Sequence, residues 1–145
     1  DSSQVIGDLV QGGIALGQRD YYFPHDDKGK EILQKYQAHI ETMMALLGEN
    51  AEQARTAANA VLRIETALAK VSYDLADQND PTKTHHPTTI AELSRLAPQF
   101  DWATYFASYG KPGLNHLNVD EPEFVRGLNS LLESTPKAEF DAYLT

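Results

Sequence analysis

KGKEILQKYQAHIETMMALLGENAEQARTAANAVLRIETALAKV, residues 28–71, carries two amphipathic patterns in succession with one short break between them. Ile32, Leu33, Tyr36, Ile40, Met43, Met44 and Leu47 recur at helical spacing, and Gly48 stands where a left-handed cap would end the helix. Asn50, with Gln53 three places on, makes a capping-box-like start for a second helix. Its seam is Ala54, Ala57, Ala58, Val61, Ile64, Glu65, Leu68 and Val71, narrow and alanine-rich, so another helix can approach closely. Two helices of about twenty residues joined by so short a link are expected to form an antiparallel hairpin. Glu65 is the one acid whose position in an apolar seam suggests burial. A helix-edge acid paired with Lys or Arg is the simpler reading, a catalytic acid the other.

Immediately upstream, Gln11-Gly-Gly-Ile-Ala-Leu-Gly-Gln-Arg-Asp-Tyr-Tyr-Phe23 joins backbone freedom to a charge pair and three aromatics. Gly12, Gly13 and Gly17 tolerate positive φ, so the chain can turn sharply and deliver Arg19 to Phe23 as a wedge. The tyrosine hydroxyls need partners if buried, and Arg19 and Asp20 are candidates. The favoured role is a plug between helices, with direct ligand contact as the alternative. No Lys-Ser/Thr pair follows Gly12-Gly13 and no GxGxxG spacing is present, which argues against a phosphate-cradling loop. Further upstream, Val5, Ile6, Leu9 and Val10 fit a helical stripe that Gly7 weakens, and a short strand is equally consistent. Pro24-His25-Asp26-Asp27 reads as a turn feeding the first long helix near Lys28.

Downstream, residues 74–88 turn polar, and Asp80-Pro81 and His86-Pro87 break regular structure, so this is expected to be the longest loop. Thr89 with Glu92 forms a capping box for a short helix ending at Pro98. Asp101 caps another from Trp102 to Tyr109 that stops at Gly110, with Trp102, Tyr105 and Phe106 on one face. Leu117-Asn118-Val119 is a candidate extended segment. Pro122 opens a helix with the stripe Phe124, Val125, Leu128, Leu131 and Leu132, and Ser134-Thr135-Pro136 starts a last one bearing Phe140, Tyr143 and Leu144. The expected fold is all-α: a long-helix hairpin with shorter packed helices, with room for one minor strand pair, in one helical domain over residues 1–145.

At this length folding buries on the order of 70% of the surface exposed when unfolded, enough for a sizeable core. With 21 acidic and 12 basic residues the net charge is −9, which argues against nucleic acid or an anionic membrane surface as partner. No apolar run approaches the roughly 20 residues of a membrane span, and no signal-peptide pattern opens the chain. The start at Asp1 without methionine, and an uncapped apolar face near Thr145, are read as marks of a piece cut from a longer chain. The sequence contains no cysteine, which excludes disulfides, thiolate zinc sites and a cysteine nucleophile.

The five histidines raise a metal site as a possibility to test by spacing. A zinc helix of the HExxH type needs two His four apart with a Glu between, and no such pair occurs. His85 and His86 are adjacent, so in regular structure their rings diverge. His39 and His116 lack a second ligand at helical spacing, and His25-Asp26-Asp27 is equally well explained as a solvated cap. No Gly-x-Ser-x-Gly elbow supports a serine hydrolase. No catalytic, metal-ligating or substrate-binding residue is therefore assigned in this chain.

Several strings together resemble one family. Gln11-Gly12-Gly13-x-x-Leu16-x-x-Arg19-Asp20-Tyr21-Tyr22 is similar to the turn before the long helices in the non-catalytic region of neprilysin-type zinc endopeptidases, the group of endothelin-converting enzyme and bacterial oligopeptidase O. Tyr36 to Ile40 with Met43 to Gly48, Ile64 to Ala69, Asp80-Pro81, Thr89 to Leu93, Phe100-Asp101-Trp102 and Thr135-Pro136 follow in the family's order across nearly the whole chain. Thr84 to Thr88 departs from it, since members more often carry an aromatic-Asn-x-Met string there.

The resemblance implies a bilobal, mostly helical peptidase in which zinc, held in the other lobe by HExxH and a downstream Glu, activates water against the scissile carbonyl. It implies that this chain is part of the opposite lobe, inactive alone, covering the cavity and restricting substrates to peptides of modest length. The partners implied are peptide substrates and the catalytic lobe of the same polypeptide; zinc ligands lie outside this chain. Family members occur anchored, secreted, periplasmic or cytosolic. The lack of cysteine points to a bacterial rather than an animal protein and does not identify the compartment; a secreted, periplasmic or cell-envelope protein is expected ahead of a cytoplasmic one.

Two readings of other classes stand beside this one. One is a free-standing helical module whose Trp102, Tyr105 and Phe106 face forms a groove for a protein or peptide. The other is a small hydrolase using His25, Asp26 and Asp27.

Overall fold

The computed structural model describes residues 6–145. In chain order the elements are β1 (Gly7–Leu9), a 3₁₀ turn (Arg19–Tyr22), α1 (Asp27–Leu46), α2 (Ala51–Val71), α3 (Leu75–Gln78), β2 (Pro87–Thr89), α4 (Ile90–Leu96), α5 (Trp102–Ser108), β3 (His116–Val119), α6 (Pro122–Ser134) and α7 (Lys137–Leu144). The chain is mainly helical with one small sheet, as the periodicity indicates. It gathers into two compact units: Gly13–Lys70 with Ser134–Thr145, and the described residues up to Gly12 with Val71–Glu133. No helix among the described residues is long and apolar enough to cross a membrane.

The first unit is the hairpin with α7. Asp26 caps α1 by accepting from the Gly29 N–H at 2.7 Å, and the helix ends on Gly48 at φ 101°. Asn50 Oδ1 accepts from the Glu52 and Gln53 amides while Gln53 Oε1 accepts from the Asn50 amide, completing the box expected at the start of α2. Ile40 and Met44 of α1 bury against Ala54, Ala57, Ala58 and Val61 of α2, with Tyr36, Leu62, Ala142 and Tyr143 packed around them. Tyr36 reaches Glu65, Gln37 reaches Asn59, and Met44 meets the first turns of α2, which is the antiparallel order. Arg63 of α2 pairs with Glu139 of α7.

The second unit is built on a three-stranded sheet in the order β1-β3-β2. β1 runs parallel to β3 with Gly7 opposite Leu117 and Leu9 opposite Val119, and β2 runs antiparallel with Thr88 opposite Leu117. The ambiguous opening segment thus resolves as strand over Gly7–Leu9; Val5, the first residue of the suggested stripe, lies outside the described residues. The polar stretch expected as a long loop contains α3 and β2. β2 is a strand because β3 supplies its partners across the sequence, a cause no local window contains. Leu93, Ala97, Trp102, Leu117, Val119 and Val125 form the core, and the Trp102 indole N–H donates to the Ala97 carbonyl at 3.1 Å. α6 approaches Val71 so closely that a Cβ at Gly127 would stand 2.6 Å from its Cγ2.

Candidate functional site

The aromatic wedge is held by a buried carboxylate. Gly13 and Gly17 take φ of 82° and 78°, the left-handed region that glycine enters without strain, and the chain turns into the 3₁₀ segment. That segment buries Tyr22 to 3% exposure, while Tyr21 stays 42% exposed. The Tyr22 hydroxyl donates to Glu65 Oε2 at 2.9 Å and accepts from the Leu16 amide at 3.1 Å. Glu65, 3% exposed on α2, also accepts at Oε1 from the Tyr36 hydroxyl at 3.0 Å and from the Ala15 amide at 3.2 Å. Tyr143 of α7 donates to the Gly13 carbonyl at 2.7 Å.

Burial, reinforced by Glu65, pushes the Tyr22 and Tyr36 phenols well above their ordinary value of 10.0. Tyr143 is raised by the same two causes. The phenols are thereby fixed as protonated donors, and both carboxylate oxygens of Glu65 are engaged by them. This arrangement fastens a glycine-rich turn to a helix seam.

The expectation for Glu65 changes accordingly. Its partners are two tyrosines and a main-chain amide, because the antiparallel register sets Tyr36 opposite it and the wedge delivers Tyr22. Arg19 lies with its guanidinium carbon 5.9 Å from the Phe23 ring centroid. Tyr36 and Tyr143 join the cluster although neither stood out as a polar residue in the sequence.

The other candidates are not members of this cluster. His25, His39, His85 and His116 are exposed. Asp26 caps α1 and Asp27 pairs with Lys30 at 3.2 Å, so the two acids of the hydrolase trio do helix-start work. Among the described residues no group of three or more His, Asp or Glu side chains could hold a metal ion. Trp102 is a core residue at 4% exposure, whereas Tyr105 and Phe106 are half-buried and line, with Leu9, Tyr109, Leu114 and Leu117, a groove of about 470 Å³ in the sheet unit.

Comparison with known proteins adds the following. The family model described as peptidase family M13, for its N-terminal part, matches residues 1–145. Neprilysin-3 of Drosophila melanogaster is 27% identical over 96% of this chain and 18% of its own length. Endothelin-converting enzyme 1 of Rattus norvegicus is 29% identical over 99% of this chain and 19% of its own length. The chain therefore spans about a fifth of the curated relatives it matches. Among solved structures, Mycobacterium tuberculosis zinc metalloprotease Zmp1 in its open state aligns with a TM-score of 0.86 at 25% identity, covering 94% of this chain and 21% of that one. The inhibitor complex of Zmp1 aligns at 0.85 over the same shares.

Proposed function

The chain belongs to peptidase family M13, and from that premise we propose that residues 1–145 serve in the non-catalytic helical lobe of a zinc-dependent metalloendopeptidase. In this reading the lobe covers the substrate cavity and limits access to peptides of modest length, while the zinc ligands and the water-activating acid belong to another part of the polypeptide. The observation that carries it is a family match along the whole chain joined to the lack, among the described residues, of any side-chain set for a metal. The Glu65 cluster supports a scaffolding role, since its polar groups are spent on one another.

Two measurements test the reading. Calorimetric titration of this chain with zinc is expected to reveal no tight stoichiometric site, and the chain is expected to cleave no peptide. One tight site lost on mutating a histidine here would overturn that half. On the intact protein, kcat/KM across a graded series of peptides is expected to fall sharply beyond a limiting length; equal cleavage of long unfolded chains would remove the covering role. We also propose that the protein is bacterial and works in the cell envelope, the periplasm or outside the cell; the cysteine-free sequence supports the bacterial origin alone, and cell fractionation tests the compartment.

A further inference from the structure

A second polar cluster, unrelated to the peptidase reading, sits where β1 meets β3. Asn118, 8% exposed, is its centre. Its Nδ2 lies 2.8 Å from Asp8 Oδ1, 2.8 Å from the Thr84 carbonyl and 2.8 Å from Asp120 Oδ1, while its Oδ1 accepts from the His86 amide at 2.7 Å. An amide nitrogen has two protons, and three oxygens claim them. The acceptor surplus falls on two carboxyl groups that one amide nitrogen gathers within 2.8 Å of itself, so that each feels the other's charge.

We propose that Asp8 and Asp120, gathered around the Asn118 amide, form a pH-dependent latch that fastens β1 to β3 in mild acid and loosens the strand when Asp120 ionises. β1 is a three-residue edge strand, so few main-chain bonds compete with repulsion between two carboxylates. One of those few is the Asp120 amide donating to the Leu9 carbonyl at 3.0 Å, directly beside the pair. The groups that act on Asp120 come from each neighbouring segment: Asp8 from β1, Asn118 from β3 and His86 from the segment entering β2. His86 Nδ1 faces the Val119 carbonyl at 3.0 Å and its charge, when present, opposes the effect of Asp8.

Burial first, and then Asp8, raises the Asp120 carboxyl above the ordinary aspartate value. A folded pKa raised in this way contributes stability that is complete below the unfolded pKa and is lost as pH rises through the folded one. The latch is therefore closed on the acid side and opens toward neutrality, opposite to the usual behaviour of a paired carboxylate.

Hydrogen exchange of the Asp120 and β1 amides in the intact protein, corrected for the intrinsic pH dependence of exchange, tests this from about pH 4 to about pH 7. Protection is expected to fall several-fold over that range in the native protein and to stay level in Asp120→Asn. Asp8→Asn is expected to stay level too, and serves should the first variant fold poorly. His86→Gln is expected to keep the fall. Level protection in the native protein, a fall that survives both carboxamide variants, or a fall abolished by His86→Gln alone would each overturn the latch.

Discussion

The hairpin unit and the sheet unit reach burial by opposite routes. In the hairpin, the buried residues Ala54, Ala57, Ala58, Val61, Ile64 and Leu68 follow one another along a single helix, so a local period writes most of the core. In the sheet unit, the core gathers Leu93, Trp102, Leu117 and Val125 from three short helices and a strand, with Leu9 packed against it from far upstream. The hairpin uses small residues and one buried acid; the sheet unit uses large rings in edge and tilted contacts, with the Phe100 and Trp102 centroids 4.4 Å apart. Small seams depend on register and ring clusters depend on volume, so the two should respond differently to truncation.

Trp102→Ala is the severest challenge to that contrast. Removing a 4% exposed indole from a ring cluster should cost about 3–5 kcal/mol by chemical denaturation, and a loss under about 1 kcal/mol would show that the rings are not the sheet unit's core. Leu68→Ala comes next at about 2–5 kcal/mol, since this 3% exposed side chain is one of the few large groups in an alanine seam. A negligible loss would mean the seam is misregistered.

Tyr22→Phe sharpens the role of the buried acid. It leaves Glu65 Oε2 and the Leu16 amide without this partner, a loss of about 1–3 kcal/mol, whereas Tyr21→Ala at a 42% exposed site should cost under about 1 kcal/mol. Equal losses would show that the wedge packs as a unit and has no single anchor. The same phenols set an alkaline limit. Their folded pKa values are raised, so the stability they give is present below the unfolded value of about 10 and is lost as pH climbs above it. Melting midpoints measured into strong alkali should fall less steeply in the Tyr22→Phe, Tyr36→Phe double variant.

The smallest expected effect is at Thr89, whose hydroxyl accepts from the Glu92 amide at 3.2 Å while Glu92 returns to the Thr89 amide at 2.9 Å. Thr89→Ala should cost about 1 kcal/mol. The Thr89 bonds hold the Glu92 carboxyl below its ordinary value, so the cap's help is present above the unfolded pKa and disappears as pH falls. A variant whose deficit is the same at every pH would leave Glu92 no part in the cap.

What could be read in the sequence follows the same division. The hairpin, its Asn50 box, the Thr89 box, the Asp101 cap and the Gly48 and Gly110 stops were all legible, because each depends on residues within one or two turns. The burial of Glu65 was legible as a break in an apolar seam, but its tyrosine partners were not. Tyr21 and Tyr22 are indistinguishable as neighbours in sequence, and only the direction of the 3₁₀ turn selects Tyr22 for the interior. β2 was hidden because Pro87-Thr88-Thr89 acquires strand character from β3, and the Asn118 cluster because Asp8 and Asn118 stand 110 positions apart. The family resemblance, by contrast, depends on ordered strings and needs no fold at all.

The interleaving of the two units also bears on synthesis. The hairpin unit comprises Gly13–Lys70 and Ser134–Thr145, so translation must pass the whole of Val71–Glu133 before α7 emerges to pack on α2 and Tyr143 can reach Gly13. β1 waits nearly as long for β3. At about 5–20 residues per second, each delay is on the order of ten seconds. During that interval α1 and α2 are already able to pair, while Gly7–Leu9 remains a strand without a sheet. A nascent chain of this kind presents to chaperones a finished helical hairpin preceded by an unpaired strand, and α7 is the clasp that completes the older half.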